Sequence, residues 1–153
     1  MTTRMIGARI PRNEDPRLLR GLGCFVDDVN PAGVLHAACY RSPHAHARLR
    51  ALDISRARAV PGVHLVVIAA ELGELNQPGP LLIPHPALTQ PRTQRPLAVD
   101  EVRYVGEAIA FVVADDRYIA EDAAGLIVAD YEPLPVVVGL DRALVTGAPL
   151  VHA

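Results

Sequence analysis

The sequence has no tryptophan, and only two phenylalanines and four tyrosines, among its 153 residues. So few rings offer no platform on which nucleic-acid bases could stack in succession. Positive charge is not in excess either. Lys and Arg number 15 against 17 Asp and Glu, for a net charge of −2 and a pI near 6.3. The arginines are scattered and form no basic stripe, so DNA, RNA and anionic membranes are not expected partners. No stretch approaches the ~20 consecutive apolar residues of a membrane span. The opening MTTRMIGARIPRNEDP lacks the apolar core of a secretory signal. A cytoplasmic protein is therefore expected. Cys24 and Cys39 form no CxxC and read as two reduced thiols, Cys39 packed in a strand.

Chemical motifs are missing as well. No GxGxxG follows a strand, there is no phosphate-cradling GxxxxGK, and no serine sits in a GxSxG elbow. His44 and His46 make an HxH pair with His36, Asp53 and His64 as the other nearby donors, but nothing in the spacing favours convergence on a metal. They read as loop histidines hydrogen-bonded to backbone. The adjacent acids Asp27-Asp28, Asp100-Glu101, Asp115-Asp116 and Glu121-Asp122 read as solvated ends, because neighbouring side chains point apart on helices and strands. No catalytic residue, cofactor-binding residue or metal ligand is expected in this chain.

What is present is the material of a globular domain. Half the residues are hydrophobic and 21% are charged, and the length suits one ordinary domain with a real core. Residues 1–33 read as an extended, irregular lead-in, with charges dense around Pro11 and Pro16 and a turn at Asn30-Pro31. Residues 34–153 read as the domain proper. Strands are expected at Leu35–Ser42 and Leu49–Ile54, then a short helix capped by Ser55 and ended by Pro61-Gly62. The β-branched run Val63–Ala69 reads as a strand buried on both faces, and Glu71–Leu75 as a helical turn.

Prolines 78, 80, 84, 86, 91 and 96 crowd the span 76–96 and exclude a helix or a central strand. This span reads as an ordered functional loop or a segment draped on a partner, and the apolar Leu81, Leu82 and Ile83 favour the partner. Regular pattern resumes with a strand at Glu101–Tyr104, a break at Gly106 and a central buried strand at Ala108–Ala114. Asp115 or Asp116 caps a helix whose apolar positions Ile119, Ala120, Ala123, Ala124 and Ile127 recur at helical spacing, with Arg117 and Glu121 as an outward pair. A strand over Ile127–Tyr131 follows, and a last short helix capped by Asp141 and stopped by Gly147. The class is α+β, or a small mixed α/β domain.

The segments RSPHAHA, VRYVGE and DYEPLP, in that order, carry a resemblance that extends over nearly the whole chain and is weakest at 76–93. The sequence is similar to the start of the large, molybdenum-cofactor subunit of the xanthine dehydrogenase, aldehyde oxidase and aerobic carbon monoxide dehydrogenase family, the α/β hammerhead domain. The resemblance implies a mixed sheet flanked by a few helices. It also implies a setting: hydroxylation of a carbon, or oxidation of CO, at a molybdenum centre with a molybdopterin cofactor. Electrons then leave through two 2Fe-2S clusters to a flavin, FAD.

In that family the residues that hold molybdopterin, and the glutamate that acts as general base, lie downstream of the hammerhead. This chain reaches Ala153 about where the hammerhead ends. The expectation is a non-catalytic portion that docks onto a separate molybdopterin-binding chain, with iron–sulfur and flavin subunits beside it. A self-associating homodimeric module without redox activity, and a truncated piece of a longer enzyme, are the alternatives. The resemblance places Arg41, Ser42, His44, His46, Arg103, Gly106 and Glu107 at an interface or in structural roles, with Arg103 and Glu107 pairing with each other or across it. Gly106 reads as a bulge or a close backbone approach. Glu107 reads as an anchor at the strand entrance and not as a catalytic base.

Overall fold

The computed structural model describes residues 6–80, 83, 85–88 and 93–152. They divide into two compact units, Met1–Val34 and Leu35–Ala153. The first unit is not wholly irregular. It holds one helical turn, α1 (Asp15–Leu18), and a 3-10 turn at Val26–Asp28. Pro16 sits in the first turn of α1, where its missing N–H costs nothing, and Asp15 pairs with Arg12 at 2.9 Å. None of the described residues of this unit is buried, and Leu19, Phe25 and Val26 lie open to solvent.

The second unit contains six strands in two antiparallel sheets, which places it in the α+β class. The strands are β1 (His36–Arg41), β2 (Ala47–Asp53), β3 (Val63–Ile68), β4 (Glu101–Val102), β5 (Ala108–Ala114) and β6 (Val128–Pro133). One sheet has the order β1-β5-β3 and the other β4-β2-β6. The strand expected at Glu101–Tyr104 is thus two residues long, because Arg103 to Gly106 turn the chain into β5.

Short helices fill the connections: α2 (Ser55–Arg58) follows β2, α3 (Ala69–Leu72) follows β3, and α4 (Arg117–Gly125) follows β5. Helices α4 and α2 pack on one face of the first sheet. The start of α4 is fixed by Asp116, whose carboxylate accepts the Tyr118 N–H at 2.7 Å. The contact is built on small residues: Ala57, Ala123 and Ala124 meet Ala110, Val112 and Val66, letting helix and sheet approach closely. Ser55 does not cap α2 as expected. It is the first helical residue, Ile54 holds the N-cap position without a side-chain cap, and the Ser55 N–H donates instead to the Asp53 carboxylate at 2.9 Å.

The run Val63–Ala69 is not buried on both faces. Its strand, β3, is an edge of the first sheet, and Leu65 is half exposed. A β-branched run looks alike in a central and an edge strand, so local pattern cannot separate the two. The edge is partly covered by Arg58, which donates to the Val66 carbonyl at 2.9 Å and pairs with Glu71 of α3. The final helix, α5 (Leu140–Ala143), is also shorter than expected. Its N-cap is Gly139, Asp141 lies inside the single turn, and the helix ends well before Gly147. Between Gln77 and Asp100 no described residue joins a helix or strand; Leu81 and Leu82 lie outside the described residues, and Ile83 is exposed.

Tyr40 and Leu52 pack against both cores, and Ile109 also joins the two sheets. Tyr40 pairs with Ala110 and Arg41 with Ala108, which leaves Ile109 as the extra residue of a β-bulge in β5. The bulge sends Ile109 into a second core cluster with Ala47 of β2, Val102 of β4, and Ala98. All four are essentially shut off from solvent.

Candidate functional site

The turn between β4 and β5 ties itself to the end of β1. The Gly106 N–H donates to the Ser42 carbonyl and the Ser42 N–H donates to the Glu107 carbonyl, each at 2.8 Å. Arg41 adds a guanidinium hydrogen bond to the Gly106 carbonyl at 2.8 Å. Gly106 holds φ at +92°, in the left-handed region, and a Cβ added there would meet nothing within 4 Å. Glycine is therefore required for its backbone angle and not for close approach, while the bulge falls further on, at Ile109.

Ser42 is buried, and its hydroxyl organises the bend into β2: it accepts the His44 N–H at 3.0 Å and donates to the His44 carbonyl at 2.9 Å. The His44 ring lies against Tyr131 of β6, with centroids 4.7 Å apart. Burial, with the Tyr40 hydroxyl alongside, pushes the Tyr131 phenol up from its ordinary range.

Glu107 and Arg103 do meet, but not as an ion pair between side chains. The Glu107 carboxylate accepts the backbone N–H of Arg103 at 2.5 Å, whereas the guanidinium donates to the Glu101 carbonyl at 3.2 Å. The Nε of Arg103 is buried without a hydrogen-bond partner. His46 sits deeper. Its Nδ1 lies 2.8 Å from the Pro135 carbonyl and its Nε2 lies 2.5 Å from the Glu101 carboxylate. The Pro135 carbonyl, seconded by Glu101, raises the His46 pKa above 6.5 against the opposing effect of burial.

The seven residues singled out in the sequence thus fall in one connected network around the β4–β5 turn. Sequence reading missed Glu101, taken with Asp100 as a solvated end; it is partly buried against His46, 55 positions away in the chain. It also missed Asn76, a buried side chain that clamps the Leu97 backbone by donating to its carbonyl at 3.0 Å and accepting its N–H at 2.9 Å. No local pattern announces either partner.

Two clefts flank the network, and Glu107 lines both. The larger, of about 740 Å³, is lined by charged groups, among them Arg95, Asp100, Glu101 and Arg103. The smaller, of about 530 Å³, has Cys39, Phe111, Val67, Leu65 and Leu72 in its lining. Cys39, Phe111 and Val67 are direct register neighbours across β1, β5 and β3, so the first sheet presents a continuous apolar row here. Phe111 and Leu65 are 37% and 50% exposed on it.

The donor chemistry does not fit an iron–sulfur cluster. A 2Fe-2S cluster takes four thiolates or a mixed Cys and His set, and this chain has two cysteines, one in each unit. Among the described residues no three His, Cys, Asp or Glu side chains gather as a metal site. Nor is any helix among them long and apolar enough to cross a membrane.

Comparison with known proteins agrees with the motifs. Residues 20–135 match the family described as aldehyde oxidase and xanthine dehydrogenase, a/b hammerhead domain. The chain is 44% identical over 147 residues to the carbon monoxide dehydrogenase large chain of Afipia carboxidovorans, covering 96% of this chain and 17% of the relative. It is 41% identical over 160 residues to the nicotine 6-hydroxylase large subunit of Paenarthrobacter nicotinovorans, covering 99% and 18%. Among solved structures, a Cu,Mo-CO dehydrogenase superposes with a TM-score of 0.80 at 43% identity, over 94% of this chain and 17% of that one. The aldehyde oxidoreductase from Desulfovibrio gigas superposes with a TM-score of 0.81 at 29% identity, over 93% and 16%. The chain spans about a sixth of the length of the relatives it matches. It belongs to the aldehyde oxidase and xanthine dehydrogenase family and carries that family's α/β hammerhead domain.

Proposed function

We propose that this chain is the non-catalytic hammerhead portion of a cytoplasmic molybdenum-cofactor hydroxylase and that it docks onto the molybdopterin-binding polypeptide. Iron–sulfur and flavin subunits complete the electron path. The observation that carries the reading is the open apolar row Cys39–Phe111–Val67 with Leu65 beside it, which leaves large apolar side chains in contact with water. Water-exposed apolar faces of this kind are what interfaces bury. In this reading the network of Arg41, Ser42, His44, His46, Arg103, Gly106 and Glu107 holds the rim of that face in shape, and Arg41 and Glu107 offer polar contacts beside it.

The test is co-expression of this chain, tagged, with the molybdopterin-binding remainder of a family large chain, followed by affinity capture. Co-purification is expected, with loss of capture on Phe111→Asp and weakening on Glu107→Gln. The Phe111→Asp chain should keep its circular dichroism spectrum, since that side chain is already in part exposed. A chain that never co-elutes with the molybdopterin-binding polypeptide, but forms a Phe111-dependent homodimer in sedimentation, would replace docking with self-association.

A further inference from the structure

His46 is enclosed by acceptors on both ring nitrogens. The Pro135 carbonyl oxygen can only accept, so Nδ1 must carry a hydrogen. A neutral ring would then present the Nε2 lone pair to the Glu101 carboxylate at 2.5 Å, and two acceptors repel. The contact therefore holds one proton beyond a neutral histidine and an ionised carboxylate.

That proton spans three pieces of backbone: the entry to β2, the two-residue strand β4 and the chain leaving β6 at Pro135. Apart from Val102, which packs in the second core, β4 is held by a short ladder. Its ladder consists of Ala47 opposite Val102 and Arg48 opposite Glu101, with the Leu49 N–H bonded to the Asp100 carbonyl at 2.8 Å. Asp100, Glu101 and Arg103 also form part of the wall of the charged cleft. We propose that the His46–Glu101 contact is a proton-operated latch: protonated, it closes β4 against β2 and β6; deprotonated, it releases β4 and opens the wall of the charged cleft.

The surrounding groups set how the latch responds. Among the described residues Glu101 is the carboxylate that meets the ring, and Arg103, on the run that follows β4, opposes its charge. His44, on the bend before β2, lies tilted against Tyr131 of β6, and Tyr40 of β1 sits beside Tyr131. Asp100 and Glu107 line the same cleft as Glu101. The sign follows from the raised pKa of His46. Stability from the contact is full below 6.5 and is lost as pH rises through the folded-state value.

The test is ring-nitrogen NMR of the six histidines of the full chain, run beside amide hydrogen exchange across the same pH series. His46 is expected to titrate above 6.5. Exchange at Leu49, Val102 and Leu134, whose N–H groups face the β2–β4 ladder or the His46 carbonyl, should accelerate several-fold as His46 loses its proton, once corrected for intrinsic rates. Glu101→Gln supplies a neutral donor to Nε2, so it keeps β4 protected and removes the pH dependence. His46 titrating at or below 6.5 overturns the latch, and so does exchange in β4 that ignores its titration or a Glu101→Gln chain that stays pH-dependent.

Discussion

Replacing Ile109 by alanine should cost about 3 kcal/mol, a large share of what holds a domain of this size together. The side chain is fully buried, and the bulge in β5 makes it a bridge from the first sheet into the core of the second. The substitution removes the side chain beyond Cβ, and at about 0.8 kcal/mol for each buried carbon the transfer loss alone is roughly 2.4 kcal/mol. A cavity term adds to it, because Ala47 and Ala98 are too small to fill the space and Val102 is held by the β4 ladder. Isoleucine-to-alanine losses of roughly 2–5 kcal/mol in other cores bracket the sum. For a domain of this length, about 3 kcal/mol lowers the melting temperature by roughly 6–12 °C. Urea denaturation followed by circular dichroism reads the loss directly, with the m-value unchanged. Leu65→Ala, on the open face, is the matched control and should cost about 1 kcal/mol or less, since half of Leu65 is already in water. If Ile109→Ala costs no more than Leu65→Ala, the sheets are not joined through this residue and the packing argument fails.

Two further outcomes follow from the same structure. Gly106→Ala should cost about 1–2 kcal/mol through the backbone alone, since φ is +92° and the new Cβ has open space. Gly106→Asn should cost less, and equal losses in urea titrations would mean that the angle is not what selects glycine. Glu71 has its pKa lowered by the Arg58 guanidinium and by the Ile68 N–H, so its contribution is present at neutral pH and disappears as pH falls through the depressed folded value. Wild type and Glu71→Gln should therefore differ in urea midpoint near neutrality and converge once pH has fallen below the depressed Glu71 value; a constant difference across the range would show that the carboxylate charge is not involved.

The sequence by itself determined the elements whose cause is local. The helical recurrence of Ile119, Ala120, Ala123 and Ala124 marks α4, and the pair Asp115-Asp116 marks its start, the structure choosing Asp116, because a carboxylate on a short side chain reaches the first free N–H groups. The β-branched and alternating runs mark β1, β2, β3 and β5 closely, with disagreement confined to the strand ends. The ordered motifs RSPHAHA, VRYVGE and DYEPLP carry the family. The first two of them contain all seven candidate residues, so the sequence also names the two segments that the fold brings together at the β4–β5 turn.

Only the tertiary structure decided what those elements face. That β3 is an edge, that Ile109 leaves the first sheet for the second core, and that Glu101 meets His46 are facts about partners far apart in the chain, 55 positions in the last case. Strand pattern has a period of two and records which side chains share a face, but not which strand lies alongside or whether that face is covered. An acid next to another acid looks solvated until a buried imidazole from a distant strand is brought against it. Covering, pairing and proton sharing arise only when the chain closes on itself, and they give this domain its open apolar face and its shared proton between His46 and Glu101.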